Sequence, residues 1–571
     1  MTPYILLHIH RLKIPYMPNN IPDAAKKVPL MFQAQTKGRC QIQYIDDQAR
    51  KEKRSQQAER WAEQWIDKAY PNPPIFGDQV QTRSYSISWR FVTNSGQDDG
   101  VIRPVIGARG WPFYPGSSMK GIFRRACTIE QAERYCGKDI KAGDFQPGIF
   151  RFHGGYPTSD TWQEKLVDIV HPQQDWQVKD DKKSAGAFVQ ISLYKPELIF
   201  GISSTITLKA SEWETIWNIW EKALSTGIGC RVCAGYGQPE HHTGELIYRV
   251  QIQGQGQVSK QLDGTGEFRP NIFRAALRGH ALRIFGGLTD ADTADRLVET
   301  LFGGVRSHEE KFGLLSMAFG ETDLELEEFG QRSYITPTYK VKGYLSWLLT
   351  QNLGDTEREG LQKLVKALTR FAMLLGGFGK SWRRADHRLF LPEYYDQEDP
   401  KPLIGCHWQW LGTKSLIQDV RVRKLEQVSQ FIQEVRQAAS NWMQLQGITP
   451  APDNYAPWRE AWHPETVQVW GRLADEAEDC EAIPRAKISE GSIYRSSVTG
   501  EVGQIGKLWH RMYPVVRLLQ DPKKPNQPMP KKTNQYLELL RFFPDDSDQS
   551  EQFLEFLESH PKKILQKLWG N

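Results

Sequence analysis

The sequence predicts an α+β fold built from two similar modules. Two observations carry this. Strand-like runs rich in aromatic and β-branched residues are interspersed with amphipathic, helix-like stretches along the chain. A strand-like run, a proline-led basic helix and a later glycine-rich loop also occur, in that order, twice. At 571 residues the chain exceeds what one core accommodates, so at least two domains are expected.

Residues 1–45 hold a strand and a Pro/Asn-rich loop at 15–22; the apolar run near the N-terminus has no basic segment before it, so it reads as a strand and not a signal peptide. Residues 46–69 are dense in charge, with Trp61 and Trp65 on one edge. They predict a surface helix ended by the prolines at 71–74. Residues 83–91 (R-S-Y-S-I-S-W-R-F) alternate as a strand.

Residues 110–125 (G-W-P-F-Y-P-G-S-S-M-K-G-I-F-R-R) are the most informative stretch. The Pro-Gly turn enters a helix that Ser117 or Ser118 caps, and Lys120 and Arg124 share one face. Free N–H groups, a positive dipole end and nearby cations make a seat for phosphate. A capped surface helix with a solvated basic stripe explains the same residues. The second copy follows a weaker strand at 246–252 and reads R-P-N-I-F-R-A-A-L-R-G-H-A-L-R over 269–283. Arg274 and Arg278 are again four apart, and Gly279 follows the second base as Gly121 follows Lys120.

The glycine-rich loops are T-G-I-G-C-R-V-C-A-G-Y-G at 226–237, with Arg231, and L-G-G-F-G-K-S-W-R-R at 375–384, with Lys380 and Arg383. Glycine there lets backbone approach a ligand. Residues 254–266 are a further glycine-rich loop, 290–302 and 360–375 are helices, and 420–445 is a long amphipathic helix in an insertion. A Pro/Lys-rich loop at 523–532 separates strands at 510–519 and 535–543, ahead of an acidic helix.

The P-G-S-S-x-K-G-x-x-R run, the G-x-G-x-R-x-x-x-G-Y-G loop and the F-R-x-x-L-R-G-x-x-x-R helix resemble the RAMP superfamily, the RNA-binding backbone subunits of type III CRISPR–Cas effector complexes. The resemblance implies two tandem ferredoxin-like (RNA-recognition-motif-like) modules. These are residues 1–250 and a more divergent 251–571, with a helical insertion at about 415–475. A chain with two such modules is similar to the tandem backbone fusion subunit of type III-D, with the two-module type III-B subunit the nearest rival. Implied partners are guide crRNA, complementary target RNA, further RAMP backbone proteins and the large polymerase-like subunit. Arg103, Ser117, Ser118, Lys120, Arg124, Arg231, Arg269, Arg274, Arg278, Lys380 and Arg383 become the expected RNA-binding residues.

RNA cleavage needs a group that holds a metal or moves a proton beside the scissile phosphate. N-S-G-Q-D-D-G-V-I-R at 94–103 places adjacent carboxylates in a glycine-flanked loop, which an ordinary solvated turn also explains. The resemblance implies an aspartate five residues before an arginine, here Asp98 before Arg103, cutting target RNA with Mg2+ or Mn2+. Asp99 is the fallback. Asp263 of the second module lies six residues before Arg269, and Glu267 is a further carboxylate there. The resemblance also implies a thumb hairpin at 171–188, with Trp176, Val178 and Phe188 to wedge bases, and a reduced one at 331–344. Two rival readings are a scaffold without chemistry and a zinc-stabilised interaction module.

Other features are weaker. Cys230-x-x-Cys233 with His241 and His242 has ligand types for structural zinc but lacks a second pair, so backbone packing is favoured. The G-K-S at 379–381 fails as a phosphate loop because Leu374 stands where glycine is required. The net charge of +5 does not itself announce nucleic acid, but the bases cluster. Seven scattered cysteines and no apolar run of spanning length predict a cytoplasmic protein away from membranes.

Overall fold

The structure is a computed structural model. It describes residues 54–93, 96–98, 101–141, 144–170, 175–179, 188–241, 244–261, 264–306, 309–330, 335–391, 403–481, 498–500, 506–521, 524–559 and 565–571. The strand expected within 1–45 lies outside these residues.

Helix α1 (Arg54–Lys68) buries its aromatic edge. Trp65 is fully buried, its ring lies 4.7 Å from that of Trp162, and its indole N–H donates to the Gly110 carbonyl at 2.7 Å. The buried indole thus has its polar handle satisfied. Strand β1 (Gln81–Ser86) follows, then the short hairpin β2 (Gly96–Asp98) and β3 (Val101–Arg103). Next come α2 (Gly116–Ala126), α3 (Ile129–Cys136), β4 (Phe150–Pro157) and β5 (Val167–Val170). The first unit continues through α4 (Asp175–Lys179), β6 (Phe188–Ile191), β7 (Glu197–Ser204) and α5 (Ala210–Leu224).

Two sheets result. One has the order β1-β7-β4, all antiparallel. An isolated bridge between Ile87 and Pro239 follows β1 at the edge where a further strand would lie. The other has the order β2-β3-β6-β5, with a parallel step between β3 and β6.

The second unit runs β8 (Glu245–Gln257), α6 (Asn271–Gly286), α7 (Ala291–Phe302), β9 (Leu315–Phe329), β10 (Thr336–Leu349), α8 (Asp355–Leu374) and β11 (Cys406–Trp410). Its sheet order is β9-β10-β8-β11, all antiparallel. Helix α8 buries Leu361, Leu364, Val365, Leu368 and Phe371, the stripe that 3.6-residue periodicity predicts.

After α9 (Gln427–Leu445) comes β12 (Gln468–Ala474), β13 (Leu508–Asp521), β14 (Lys524–Phe542), α10 (Asp548–Ser559) and β15 (Gln566–Trp569). This sheet has the order β13-β14-β12-β15. Counted within each unit, it repeats the second–third–first–fourth order of the preceding sheet. Residues 251–571 therefore hold most of one sheet and the whole of another. Leu537 and Leu539 face the large core shared with the second unit, whereas Leu540 and Phe542 face α10.

The expected loop at 523–532 is instead largely strand: β14 pairs with β13 through Lys532, Lys531, Pro530 and Met529. In that stretch β14 pairs on one side only among the described residues, and an edge position tolerates the prolines.

Candidate nucleic-acid interface

The Asp98 hairpin is the outer edge of a four-stranded sheet. Asp98 ends β2 opposite Val101, and Gly96 lies opposite Arg103, which is buried. Strand β3 runs parallel to β6, pairing Ile102 with Gln190, and β6 pairs antiparallel with β5, placing Gln190 opposite Asp168. Ile102 packs with Trp89, Val92 and Tyr236. Asp99 and Asp263 lie outside the described residues, as does the side chain of Asp98.

The inner edge of that sheet is anchored by charge. Asp168 is fully buried and accepts from Gln190 at 2.6 Å and Tyr236 at 2.9 Å, with Arg269 of the second unit 2.9 Å away. Burial alone would raise its pKa, but Arg269 and Arg90 outweigh that and hold it low. Arg90 makes the second anchor. Its Nε and Nη2 donate to the two carboxylate oxygens of Glu267 at 2.7 and 2.6 Å, and Trp89 and Gln261 donate to the same carboxylate. Burial opposes the Arg90 charge, but the hydrogen bonds it donates to Glu267 and the nearby Asp168 carboxylate keep its pKa raised. Glu267, one of the carboxylates noted beside the second basic helix, is therefore an ion-pair partner.

Helix α2 begins at Gly116, with Pro115 at the capping position and no side-chain cap. The expected cap by Ser117 or Ser118 does not form: both serines sit inside the first turn and are exposed. Pro115 brings an extended backbone directly to Gly116 and so starts the helix one residue early. Glycine is needed there, because an added Cβ would lie 2.0 Å from the Phe152 carbonyl oxygen on β4. Lys120 lies 5.8 Å over the Phe145 ring, and Arg124 is exposed while donating to the Gly137 carbonyl at 2.6 Å.

The bases of the second copy have internal partners. Arg269 is buried against Asp168, Gln261 and the Ile169 carbonyl. Arg274 donates to the Phe302 carbonyl, and burial lowers its pKa to about 10. Arg278 pairs with Asp175, and Arg383 reaches Glu460 at 2.5 Å and Gln177 at 3.0 Å. Lys380 is exposed, next to Gly379 at φ 93°. Arg231 holds a left-handed backbone (φ 60°) in the first glycine-rich loop. That loop sits on β9: Ser316 donates to the Val232 carbonyl at 3.1 Å, and a Cβ on Gly235 would come 2.9 Å from Met317.

The thumb segment leaves the antiparallel pair β5–β6, where Val170 lies opposite Phe188. Its described part is not a hairpin arm but the short helix α4. Val178 is fully buried in the second unit's core and Trp176 is half-buried. Lys179 pairs with Asp295 at 2.8 Å, and the Glu460 amide donates to the Val178 carbonyl. In the second unit, β9 and β10 pair up to Phe329 and Thr336, so that connection is short. Phe188 opens β6, and its side chain is not among those described.

Burial raises the pKa of both Cys230 and Cys233, with Arg274 beside Cys233 opposing it. His241 is exposed and its ring is 3.9 Å from Glu240. Among the described residues these cysteines join no group of three metal-ligand side chains. No described helix is long and apolar enough to cross a membrane.

No model of a known protein family matches the sequence. A comparison with curated proteins finds no match. One similar chain among solved structures belongs to the "Cryo-EM structure of the Type III-B Cmr-beta bound to cognate target RNA", with 17% identity, a TM-score of 0.22, and 28% of this chain and 56% of that chain covered. This protein thus spans little more than half the length of that chain, and a likeness at so low a TM-score carries no argument about fold or activity.

Proposed function

We propose that this protein is a backbone subunit of a type III CRISPR ribonucleoprotein that binds guide RNA and cleaves complementary target RNA with its first unit. The observation that carries the reading is the recurring strand order. In the second unit, β8-α6-α7-β9-β10-α8-β11 gives a sheet ordered second–third–first–fourth, the order expected of a ferredoxin-like split βαβ module with one added helix, which supports this reading. The first unit repeats it with three strands and a bridge. The basic, proline-led helix follows the first strand in both units, as the motif resemblance requires.

The geometry distributes the work unequally. Arg269, Arg278 and Arg383 hold the units together and Arg274 is buried against the Phe302 carbonyl, so phosphate contact falls to the exposed face of α2, to Lys380 and to the first glycine-rich loop. Contacts to backbone position RNA and leave sequence to base pairing. Asp98 ends an edge strand beside a chain reversal, and a lone carboxylate oxygen suits a hard divalent ion that also takes phosphate and water. Asp98 would hold Mg2+ or Mn2+, which supplies Lewis-acid stabilisation of the phosphate when bound. Asp168 is not available for this, because its oxygens face Arg269, Tyr236 and Gln190.

The test uses the assembled, guide-loaded complex and a labelled complementary RNA. Asp98→Ala is expected to abolish a metal-dependent cut while target binding persists. Cuts that all persist would leave this subunit a scaffold at that site, or move the work to Asp99 or Asp263. Loss of binding would make the hairpin structural.

A further inference from the structure

Cys480, His510 and Glu538 converge on one face of the β13-β14-β12-β15 sheet, and all three are buried. The sheet register dictates the meeting. Met512 lies opposite Glu538 and His510 opposite Leu540, so His510 and Glu538 are diagonal neighbours on one face. Cys480 arrives from the turn after β12 and closes over them. The thiol sulfur is 3.6 Å from His510 Nε2 and 3.2 Å from Glu538 Oε1, and Nε2 is 3.2 Å from Oε1.

We propose that these three residues bind a zinc ion. Bonds of about 2.3 Å to sulfur and about 2.0–2.1 Å to nitrogen and oxygen set ligand–ligand edges of roughly 3.3–3.6 Å in a tetrahedron. The three observed separations lie at or just under those edges. The surroundings fit as well. Ala385, Phe390, Ala474 and Met512 form an apolar shell, and the carboxylate of Glu538 is fixed by Arg472, which donates to Oε2 at 2.7 Å, and by the Glu481 amide, which lies 3.1 Å from both oxygens. Outer partners of this kind orient a ligating carboxylate.

The donor set favours a thiophilic ion over a hard one. A buried sulfur beside an imidazole nitrogen and a single carboxylate oxygen suits zinc and not magnesium, which takes oxygen ligands. Binding releases the thiol proton to solvent. Zinc with one thiolate and one carboxylate is neutral, which suits a buried site. The three protein ligands leave the fourth position to water. The ion ties the 475–481 turn to β13 and β14 and does not depend on the first unit or on RNA.

The experiment uses the full chain, purified without a metal-affinity tag from zinc-supplemented and, separately, cobalt-supplemented growth. About one zinc per chain is expected in the unaltered protein and in the Cys230→Ser/Cys233→Ser variant. A loss of at least about tenfold is expected in Cys480→Ser and His510→Gln, in line with removal of a metal ligand. The cobalt form of the unaltered chain should show thiolate-to-metal absorption, a readout needing no variant to fold, and Cys480→Ser should lack it. A chain with neither zinc nor that absorption overturns the site. So does zinc that survives Cys480→Ser, or that depends on Cys230 and Cys233.

Discussion

Arg90 and Glu267, 177 residues apart, form a two-pronged ion pair with both side chains almost wholly out of water. Arg90 follows the first strand of the first unit and Glu267 precedes the basic helix of the second, so the pair joins the two units. Removing one member leaves an uncompensated buried charge, which costs about 3–5 kcal/mol. Glu267→Ala should therefore lower the denaturant midpoint markedly. Arg90→Met with Glu267→Leu should recover much of it, since an apolar pair of similar volume avoids the desolvation cost. A double variant no more stable than the single one would remove the pair from its connecting role.

A second buried charge centre predicts acid sensitivity. Glu460 faces Arg283, Arg383 and Arg459, and it is fully buried. Burial would raise its pKa, but the three guanidiniums hold it at about 2, below the ordinary 4.5. A carboxyl depressed by folding stabilises above its unfolded pKa and loses that contribution as pH falls through the folded value. The contribution is on the order of 3 kcal/mol. Unfolding midpoints should fall between about pH 4.5 and pH 2. Glu460→Gln should be less stable at pH 7 and flatter across that window, and an unchanged acid slope would relieve Glu460 of the role.

These charge centres also show what a sequence can reveal. The helix stripe at 361–371 and the glycine-rich loops at 226–237 and 375–384 follow from local periodicity and turn chemistry, whereas the strand read at 83–91 is split, with β1 ending at Ser86 and a short pair at Arg90–Phe91, and the loop read at 254–266 begins inside β8. The acidic partners of Arg90, Arg269 and Arg383 lie 77 to 177 residues away, where no local pattern reaches. A basic helix with buried arginines therefore reads the same as one facing solvent. The β13-β14-β12-β15 sheet was obscured for a different reason: prolines at 525, 528 and 530 signal a loop, and β14 accommodates them because, among the described residues, it pairs there on one side only.

Two glycines of the first basic helix separate architecture from ligand contact. At Gly116 an added Cβ meets the Phe152 carbonyl oxygen, so Gly116→Ala should destabilise by about 1–3 kcal/mol, as overpacking does. Gly121 is exposed mid-helix with nothing within 4 Å of an added Cβ. Gly121→Ala should stabilise the free protein by about 0.5–1 kcal/mol through helix propensity. If RNA backbone runs over this face, the same substitution weakens guide binding. Thermal unfolding and RNA affinity then move in opposite directions, a pairing that a purely structural glycine does not produce.

Salt dependence assigns the bases individually. Removing one phosphate-binding cation lowers the slope of log affinity against log salt by about one. Arg124, exposed on α2, should show this in Arg124→Ala, with little change in unfolding. Arg278 is tied to Asp175 across the α4–α6 contact, so Arg278→Ala should lower stability and leave the slope near its original value. The distinction rests on where each guanidinium is held, because both residues carry the same charge at matching places in the two helices. A slope that falls with Arg278→Ala and not with Arg124→Ala would move the RNA path from the first unit's helix to the second's, and the division of labour between the units would reverse.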